Sequence, residues 1–272
     1  MKINAKFFSS LAVTCALTAG MRTVATAAES MSMSMAAAST HGLGRPLPPG
    51  WEPAVHDSPT GSFMIVPIAE FRTGGQPDAL VLDAEGWIGG DYQRFWWKAD
   101  IEQETKGGKA GEIEMQGLYS RLISPFWDFQ TGLRIDRRYR GAERRTTGYV
   151  VVGLEGLAPY WFEVEPTLFV SEKGKVSARF TATYDQLVTQ RWVIQPRIDL
   201  NAAFQDDTKQ DVAAGFNDVE FGLRLRYDLT RQFAPYVGVT WRRVLGKTAG
   251  LARRSGEDIS TASVVFGLRA WF

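Results

Sequence analysis

The sequence predicts an all-β protein, a closed antiparallel transmembrane β-barrel of about 12 strands that follows a flexible N-terminal tail. Three observations lead to this prediction. Apolar and polar residues alternate over stretches of about 9–11 residues, the length of a tilted membrane-spanning strand. Short turns alternate with longer polar loops from Ser62 to Phe272. Beyond the N-terminal segment, no stretch reaches roughly 18 consecutive apolar residues, so we expect no helical span there.

The chain begins with the order of segments that is typical of a secretory signal peptide. Lys2 and Lys6 precede a mostly apolar run at 7–20, and small residues follow it. We therefore predict that 1–28 is a signal peptide that is cleaved near Ala27 or Ala28. The apolar run is shorter than the roughly 20 residues that a spanning helix needs, which disfavours the alternative of an uncleaved anchor.

Cleavage would leave a chain without a thiol and with a charge close to zero. Cys15 is the one cysteine of the sequence, so its loss excludes disulfides and cysteine-bound metals. A lipoprotein cysteine is a weaker alternative, because Thr14 stands where a smaller residue is usual. The cleaved segment takes three of the 31 basic residues with it, which leaves 28 against 30 acidic residues. This balance gives no electrostatic reason to expect a nucleic acid partner.

Residues 29–61 are rich in Ser, Ala, Gly and Pro and predict a flexible periplasmic tail, because they offer little apolar surface for a core. Three Met at alternate positions bring thioethers together, and thioethers are soft ligands that select Cu(I). The alternatives are a linker without a ligand role and, for the second histidine, an ordinary solvated loop residue. The candidate metal ligands are Met31, Met33, Met35, His41 and His56.

From residue 62 to residue 272 the hydrophobic pattern has a period of two. Phe221, Leu223 and Leu225 share one face of a strand, and Arg224 and Arg226 share the other. A soluble β-sandwich gives the same alternation, but its strands typically run about 5–6 residues, so strand length favours the barrel. The candidate strands are 62–71, 80–88, 91–102, 112–122, 126–136, 147–156, 160–171, 175–186, 190–202, 217–229, 233–244 and 260–272.

The connections predict the orientation of the barrel. Tight turns alternate with polar loops, and outer-membrane barrels place short turns in the periplasm and long loops outside. Pro125, Pro159 and Pro235 each precede an aromatic residue at a periplasmic strand start. Pro166 lies in mid-strand, and we interpret it as a β-bulge because proline cannot donate to a sheet ladder. The predicted long loops are 72–79, 103–111, 137–146, 203–216 and 245–259.

Several strings of residues, in this order along the chain, resemble the copper resistance protein B family. They include DAEGWIGGDY at 83–92, SPFWDFQ at 124–130, GLAPYWFE at 156–163, GLRLRY at 222–227 and FAPY at 233–236. The similarity extends from about residue 50 to the end of the chain. A terminal Phe preceded by alternating apolar residues also resembles the signal that the outer-membrane barrel assembly machinery recognises.

The resemblance implies a barrel in the outer membrane of a Gram-negative bacterium, in contact with its lipid. It implies a contribution to copper resistance and homeostasis by binding or passing copper ions. Members of the family are often encoded beside a periplasmic multicopper oxidase, which is therefore a candidate partner. Family members often carry an extended Met- and His-rich segment before the barrel. Here that segment is reduced to Met31, Met33, Met35 and His41.

Charged residues of both signs lie on the predicted inward faces. They are interpreted either as an ion path or as salt bridges that fill the lumen, and because buried charge is costly we expect the two signs to pair. The inward charges are Arg94, Lys98, Asp100, Asp128, Arg134, Glu163, Glu165, Arg179, Asp185, Arg191, Arg197, Asp199, Asp218, Glu220, Arg224 and Arg226.

Two other functions are weighed against copper handling. A general outer-membrane solute channel, or a barrel without a metal role, is the main alternative because a fold does not fix a function. Some barrels hydrolyse lipids, and nucleophilic catalysis of that kind needs a base beside a serine. His41 and His56 both precede the barrel, and no Gly-x-Ser-x-Gly motif occurs. The sequence therefore predicts that the protein is not an enzyme.

Overall fold

The structure is a computed structural model that describes residues 60–75, 77–105, 110–207 and 212–272. The predicted signal peptide and all but the last residues of the predicted tail lie outside these residues. In chain order the strands are β1 (Gly61–Thr73), β2 (Ala79–Gly89), β3 (Gln93–Glu104), β4 (Ala110–Ser124), β5 (Trp127–Arg140), β6 (Glu143–Ala158), β7 (Phe162–Ser171), β8 (Val176–Thr183), β9 (Gln186–Leu187), β10 (Trp192–Ala203), β11 (Gly215–Tyr227), β12 (Phe233–Val244) and β13 (Ser260–Trp271).

These strands form one antiparallel sheet that closes on itself. Successive strands pair along the chain, and β1 pairs with β13. Both β8 and β9 pair with β10, so they are two segments of a single strand. The barrel therefore has twelve strands, which confirms the predicted architecture. The described part of the chain contains no helix that is long and apolar enough to cross a membrane.

Each strand separates two environments, as its alternating pattern predicts. In β11, Phe221, Leu223 and Leu225 are exposed on the outside of the barrel. Arg224 and Arg226 alternate with these residues in the sequence and are only 2% and 5% exposed. Side chains that alternate in sequence point to opposite faces of a strand, so the apolar set faces lipid and the charged set faces the lumen.

The two ends of the barrel differ as the sequence predicts. The five connections after β2, β4, β6, β9 and β11 have two to five residues and lie at one end with the end of β13, and each of the three Pro-aromatic segments adjoins one of them. At the same end, the Phe272 N–H donates to the Met64 carbonyl at 2.8 Å. The opposite end has the two longest connections, 204–214 and 245–259, beside short turns at 141–142 and 172–175. The predicted strand at 160–171 begins later, at Phe162, because Pro159–Trp161 forms a 3-10 turn.

The prediction of a long loop at 137–146 is wrong. β5 continues to Arg140 and β6 begins at Glu143, so the connection is a two-residue turn with Gly141 at φ +60°. Arginine-rich sequence resembles loop sequence in composition, but here its backbone continues the ladder through the pair Tyr139↔Arg144. The result is a β5–β6 hairpin that is longer than predicted.

The interpretation of Pro166 as a bulge is also wrong. Pro166 pairs with Phe180 in β8, and the β7 ladders run without a register shift. The ladder to β6 instead omits 165–166 and resumes in the same register, which accommodates the missing donor. A register shift does occur in β1, between Val66 and Ala69, at the position of Pro67.

One helix, α1 (Gly246–Ser255), occupies the predicted loop 245–259. Ala249 and Ala252 are its buried residues, and the helix packs mainly on β11. Its Thr248 hydroxyl accepts a hydrogen bond from the Ala213 N–H at 3.1 Å. The loop is therefore an ordered element at the long-loop end of the barrel.

Candidate functional site

The lumen is the candidate site because it gathers the charged side chains of all parts of the barrel. The inward residues form several clusters that are joined by ion pairs and hydrogen bonds. Each cluster combines residues of distant strands, which the closure of the sheet brings together. Buried charges are stable only where they are paired and hydrogen-bonded, so the pairing decides what the lumen can do.

The Glu70 cluster consists of Glu70, Arg72, Arg224 and Tyr236. Arg224 Nε and Nη2 each donate to a different Glu70 carboxylate oxygen at 3.0 Å, a bidentate arrangement. Arg72 Nε donates at 2.8 Å and the Tyr236 hydroxyl at 3.1 Å to the same carboxylate. The Tyr236 ring fits here because residue 267 is glycine: a Cβ on Gly267 would lie 2.5 Å from the ring.

The Glu114 cluster consists of Glu114, Arg134, Asp136 and Arg179. Arg179 donates to both Glu114 oxygens at 3.0 and 2.9 Å. Arg134 pairs with Asp136 at 2.6 Å and with Glu114 at 2.8 Å. The guanidinium of Arg134 also lies over the Phe169 ring, 4.3 Å from its centroid. Two arginines thus share one carboxylate in a closely packed part of the lumen.

The Lys98 cluster consists of Lys98, Glu85, Glu155 and Glu165. The Lys98 Nζ donates to Glu165 at 2.7 Å and to Glu155 at 3.0 Å, and Glu85 lies 3.9 Å away. Gln130 donates to the same Glu155 oxygen at 2.7 Å. One ammonium therefore faces three carboxyl groups, so acidic side chains outnumber basic ones in this part of the lumen.

Ion pairs cross the lumen from one wall to the other. Arg197 on β10 reaches Asp83 on β2 at 3.3 Å, although four strands separate β2 from β10 on the shorter path around the barrel. Arg197 is held by Asp199 on its own strand at 2.8 Å. The pairs Arg179–Glu114 and Lys98–Glu165 each span three intervening strands. Side chains therefore bridge the lumen, as in small barrels whose interiors are filled.

The lumen has more carboxylates than cations. Among the residues that the structure describes, its ion pairs and those at its mouths involve fourteen carboxylates and ten cations. The carboxylates belong to Glu70, Asp83, Glu85, Asp100, Glu114, Asp128, Asp136, Glu155, Glu165, Asp185, Asp199, Asp218, Glu220 and Asp228, and the cations to Arg72, Arg94, Lys98, Arg134, Arg179, Arg197, Arg224, Arg226, Arg242 and Arg269. Negative charge in a low-dielectric cleft favours cations over anions.

The expectation that inward charges pair is confirmed for most of the predicted set. Arg191 is an exception, because it lies exposed in the turn between β9 and β10 rather than in the lumen. The prediction omitted Glu70 and Glu114, the central carboxylates of two clusters, and Asp83, the cross-lumen partner of Arg197. The same period of two that marked their neighbours also marks these residues as inward-facing, so the signal was present in the sequence.

The predicted metal ligands Met31, Met33, Met35, His41 and His56 all lie outside the described residues. Within the described ranges, no group of three or more His, Cys, Asp or Glu side chains is arranged to hold a metal ion. The carboxylates of the lumen are instead engaged by arginine and lysine.

Comparisons with known proteins agree with this fold. The family model described as copper resistance protein B precursor (CopB) matches residues 61–272. A copper resistance protein B homolog of Pseudomonas syringae pv. tomato is 41% identical over 218 residues, 80% of this chain and 72% of the relative. Copper resistance protein B of Escherichia coli is 38% identical over 219 residues, again 80% and 72%.

The likeness to solved structures concerns the fold. The NanC porin superimposes with a TM-score of 0.50 at 14% identity, over 76% of this chain and 98% of the porin. An outward apolar surface and a charged interior are the environments expected of a barrel in an outer membrane. With a family model that matches the whole barrel and two relatives near 40% identity, the chain belongs to the copper resistance protein B family.

Proposed function

We propose that this protein contributes to copper resistance and homeostasis by binding copper ions or passing them at the outer membrane. The observation that carries the proposal is the extent of the family match. It covers residues 61–272, and the strands run from Gly61 to Trp271. The barrel is thus the part of this chain that the family model matches.

In this proposal copper is the ion that the protein binds or passes, and the ligands of the tail make that binding selective for copper. The lumen offers carboxylate oxygens, which bind copper less selectively than sulfur or imidazole does. Met31, Met33, Met35 and His41 offer the softer ligands, with His56 as a further candidate. We place this tail in the periplasm, because the first strand begins at the short-turn end. There it would capture ions, and a periplasmic multicopper oxidase would be a suitable partner.

The cross-lumen ion pairs limit what the barrel would pass. A wide solute pore is difficult to reconcile with Arg197 and Asp83 meeting at 3.3 Å. A narrow path for small cations would require only that such pairs separate transiently, and the surplus of carboxylates would favour cations. For the same reason we rank the general solute channel second. Catalysis is no part of the proposal, since both histidines of the sequence precede β1.

The test compares copper binding and copper tolerance. The tail variant replaces Met31, Met33 and Met35 with Ser and His41 with Ala, and its matched control replaces Ser30, Ser32 and Ser34 with Ala. We expect calorimetric titration of the purified protein to show Cu(I) binding that the tail variant loses and the control keeps. We also expect cells that lack the protein to become sensitive to copper, and the control to restore tolerance better than the tail variant.

Two outcomes would contradict parts of the proposal. If deletion leaves copper tolerance intact but alters permeability to neutral solutes, the protein is a general channel. If tolerance falls but the tail variant behaves as wild type, the barrel carries the function and the ligand assignment is wrong.

A further inference from the structure

The β5–β6 hairpin carries its arginines on two faces that differ in their partners. On the inward face, Arg138 pairs with Glu112 at 2.8 Å and Arg140 with Glu257 at 3.2 Å. On the outward face, Arg137 and Arg144 are exposed, and neither has a carboxylate within ion-pair distance among the described residues. The hairpin thus pairs its inward Arg138 and Arg140 with carboxylates, whereas the inward Arg145 and both outward arginines form no ion pair among the described residues.

The assignment of the outward face follows from the register. Leu133 and Val150 are a cross-strand pair on the lipid-facing surface, 65% and 50% exposed. Because side chains alternate between faces, Arg137 and Tyr139 on β5 lie on the same surface. Their cross-strand partners Thr146 and Arg144 lie there too. We call Arg137, Tyr139, Arg144 and Thr146 the arginine face.

The height of the arginine face places it at the membrane boundary. Below it on β5 the outward residues Phe129, Leu133 and Ile135 are exposed and apolar. From Trp127 to Arg137 the strand advances ten residues, which at about 3.3 Å per residue and a tilt near 40° spans roughly 25 Å. That span equals the usual height of the lipid-facing apolar band. Arg137 therefore emerges where hydrocarbon ends and head groups begin.

Tyr139 adds a second feature of such a boundary. Its ring is on the outward surface, and its hydroxyl donates to the Gln103 side-chain oxygen on β3. Amphipathic aromatic rings are enriched at the head-group level of membranes. The β5–β6 turn lies at the long-loop end, which in outer-membrane barrels faces the cell exterior. The leaflet at that side is built of lipopolysaccharide, whose lipid A carries phosphate groups.

We propose that the arginine face binds a phosphate group of lipid A in the outer leaflet. Guanidinium groups form bidentate, charge-assisted hydrogen bonds with phosphate oxygens. Arg137 and Arg144 lie on one hairpin, and neither has a carboxylate partner among the described residues. The adjacent apolar surface of Leu133, Ile135 and Val150 would contact the acyl chains. The hairpin would thus hold one lipid at a fixed place on the barrel, independently of any copper that the protein handles.

The test measures lipid binding by the full-length protein in detergent micelles, by native mass spectrometry. Diphosphoryl lipid A is the probe, and the variant is the double substitution Arg137→Gln with Arg144→Gln. The matched control is Arg253→Gln with Arg254→Gln on α1, which removes two exposed arginines elsewhere at the same end. We expect at least about tenfold weaker binding by the variant, and unchanged binding by the control. A heat-dependent shift in gel mobility would verify that all three proteins are folded.

Three results would overturn the proposal. The first is equal affinity of the variant and the wild type for lipid A. The second is equally strong, arginine-dependent binding of phosphatidylglycerol, which would indicate general attraction to anionic lipid. The third is displacement of lipid A by millimolar inorganic phosphate, which would indicate a site for the free anion. Weaker binding of monophosphoryl lipid A than of diphosphoryl lipid A would support the proposal.

Discussion

Glu70 accepts hydrogen bonds from three side chains, and it is almost completely buried. Its main partner, Arg224, is equally buried, and the Nη1 atom of Arg224 has no hydrogen-bond partner among the described residues. A buried arginine in this position depends on its carboxylate, because a guanidinium cannot lose its charge to escape the cost of burial. The Glu70–Arg224 pair is therefore a point where one substitution should have a large effect.

Replacing Glu70 with Ala should lower the free energy of unfolding by about 3–5 kcal/mol, since it leaves the Arg224 charge buried and unpaired. The matched control is Glu112→Ala, which removes the partner of Arg138 from a pair whose side chains are 45% and 35% exposed. That control should cost less than about 1 kcal/mol. Urea-induced unfolding of the protein in lipid vesicles would measure both values. Equal losses would show that burial of the Glu70 pair does not matter.

At this scale the sequence predicts which residues face inward but not which residues meet. Period-two alternation identifies Lys98, Arg179 and Arg197 as inward-facing, because lipid tolerates few charges on the other face. Their partners come from strands that are distant in sequence, such as Asp83 for Arg197. Which residues pair depends on how the barrel closes and how its strands tilt. The alternation of residues along one strand carries no information about either.

The strand β13 ends in backbone pairing with β1 and in an exposed aromatic ring. The Phe272 N–H and the Met64 carbonyl are 2.8 Å apart, and the Met64 N–H donates to the Phe272 carbonyl at 3.1 Å. The Phe272 side chain itself is 69% exposed. The backbone of this residue therefore contributes to the barrel, while its ring remains accessible.

We predict that deleting Phe272, or replacing it with Asp, reduces insertion into the outer membrane severalfold and leaves protein in the periplasm. The reason is that an accessible terminal ring would be recognised by the barrel assembly machinery, as the resemblance of this strand end to the assembly signal of outer-membrane barrels implies. Phe272→Tyr keeps the ring and serves as the control, and cell fractionation with immunoblotting measures the amounts. If Phe272→Asp inserts normally while the deletion does not, only the two backbone hydrogen bonds matter.

The strands could be predicted where contact with lipid requires apolar and polar residues to alternate. The elements that extend beyond the membrane were harder to predict. The twelve strands follow from alternation, but the outer parts of β5 and β6 contact water on both sides and alternate weakly. The helix α1 has no side-chain cap at Leu245, so its start carries no sequence signal. Its end is more readable, with Arg253 and Arg254 in the last turn and Gly256 in the left-handed conformation.

On the scale of the whole molecule, we expect the ion pairs across the lumen to determine permeability. Wild-type protein in planar bilayers should show low, cation-selective conductance and no passage of neutral sugars, because Arg197 and Asp83 meet across the lumen. The double variant Asp83→Ala with Arg197→Ala should raise the conductance at least about twofold. The double variant Glu112→Ala with Arg138→Ala removes an exposed pair of the same type and should leave it unchanged. Free passage of sugars through the wild type would contradict this account.

The pairing of β1 with β13 also has a consequence for how the barrel forms. Ile65 and Trp271 are register partners although they are 206 positions apart. Closing so long a loop is entropically costly and slow, and folding rates fall as contacts become less local. Until β13 arrives, the sheet has two open edges that can pair with other chains. The closing pair should therefore be the last to form, and the unfinished protein should depend on chaperones to avoid aggregation.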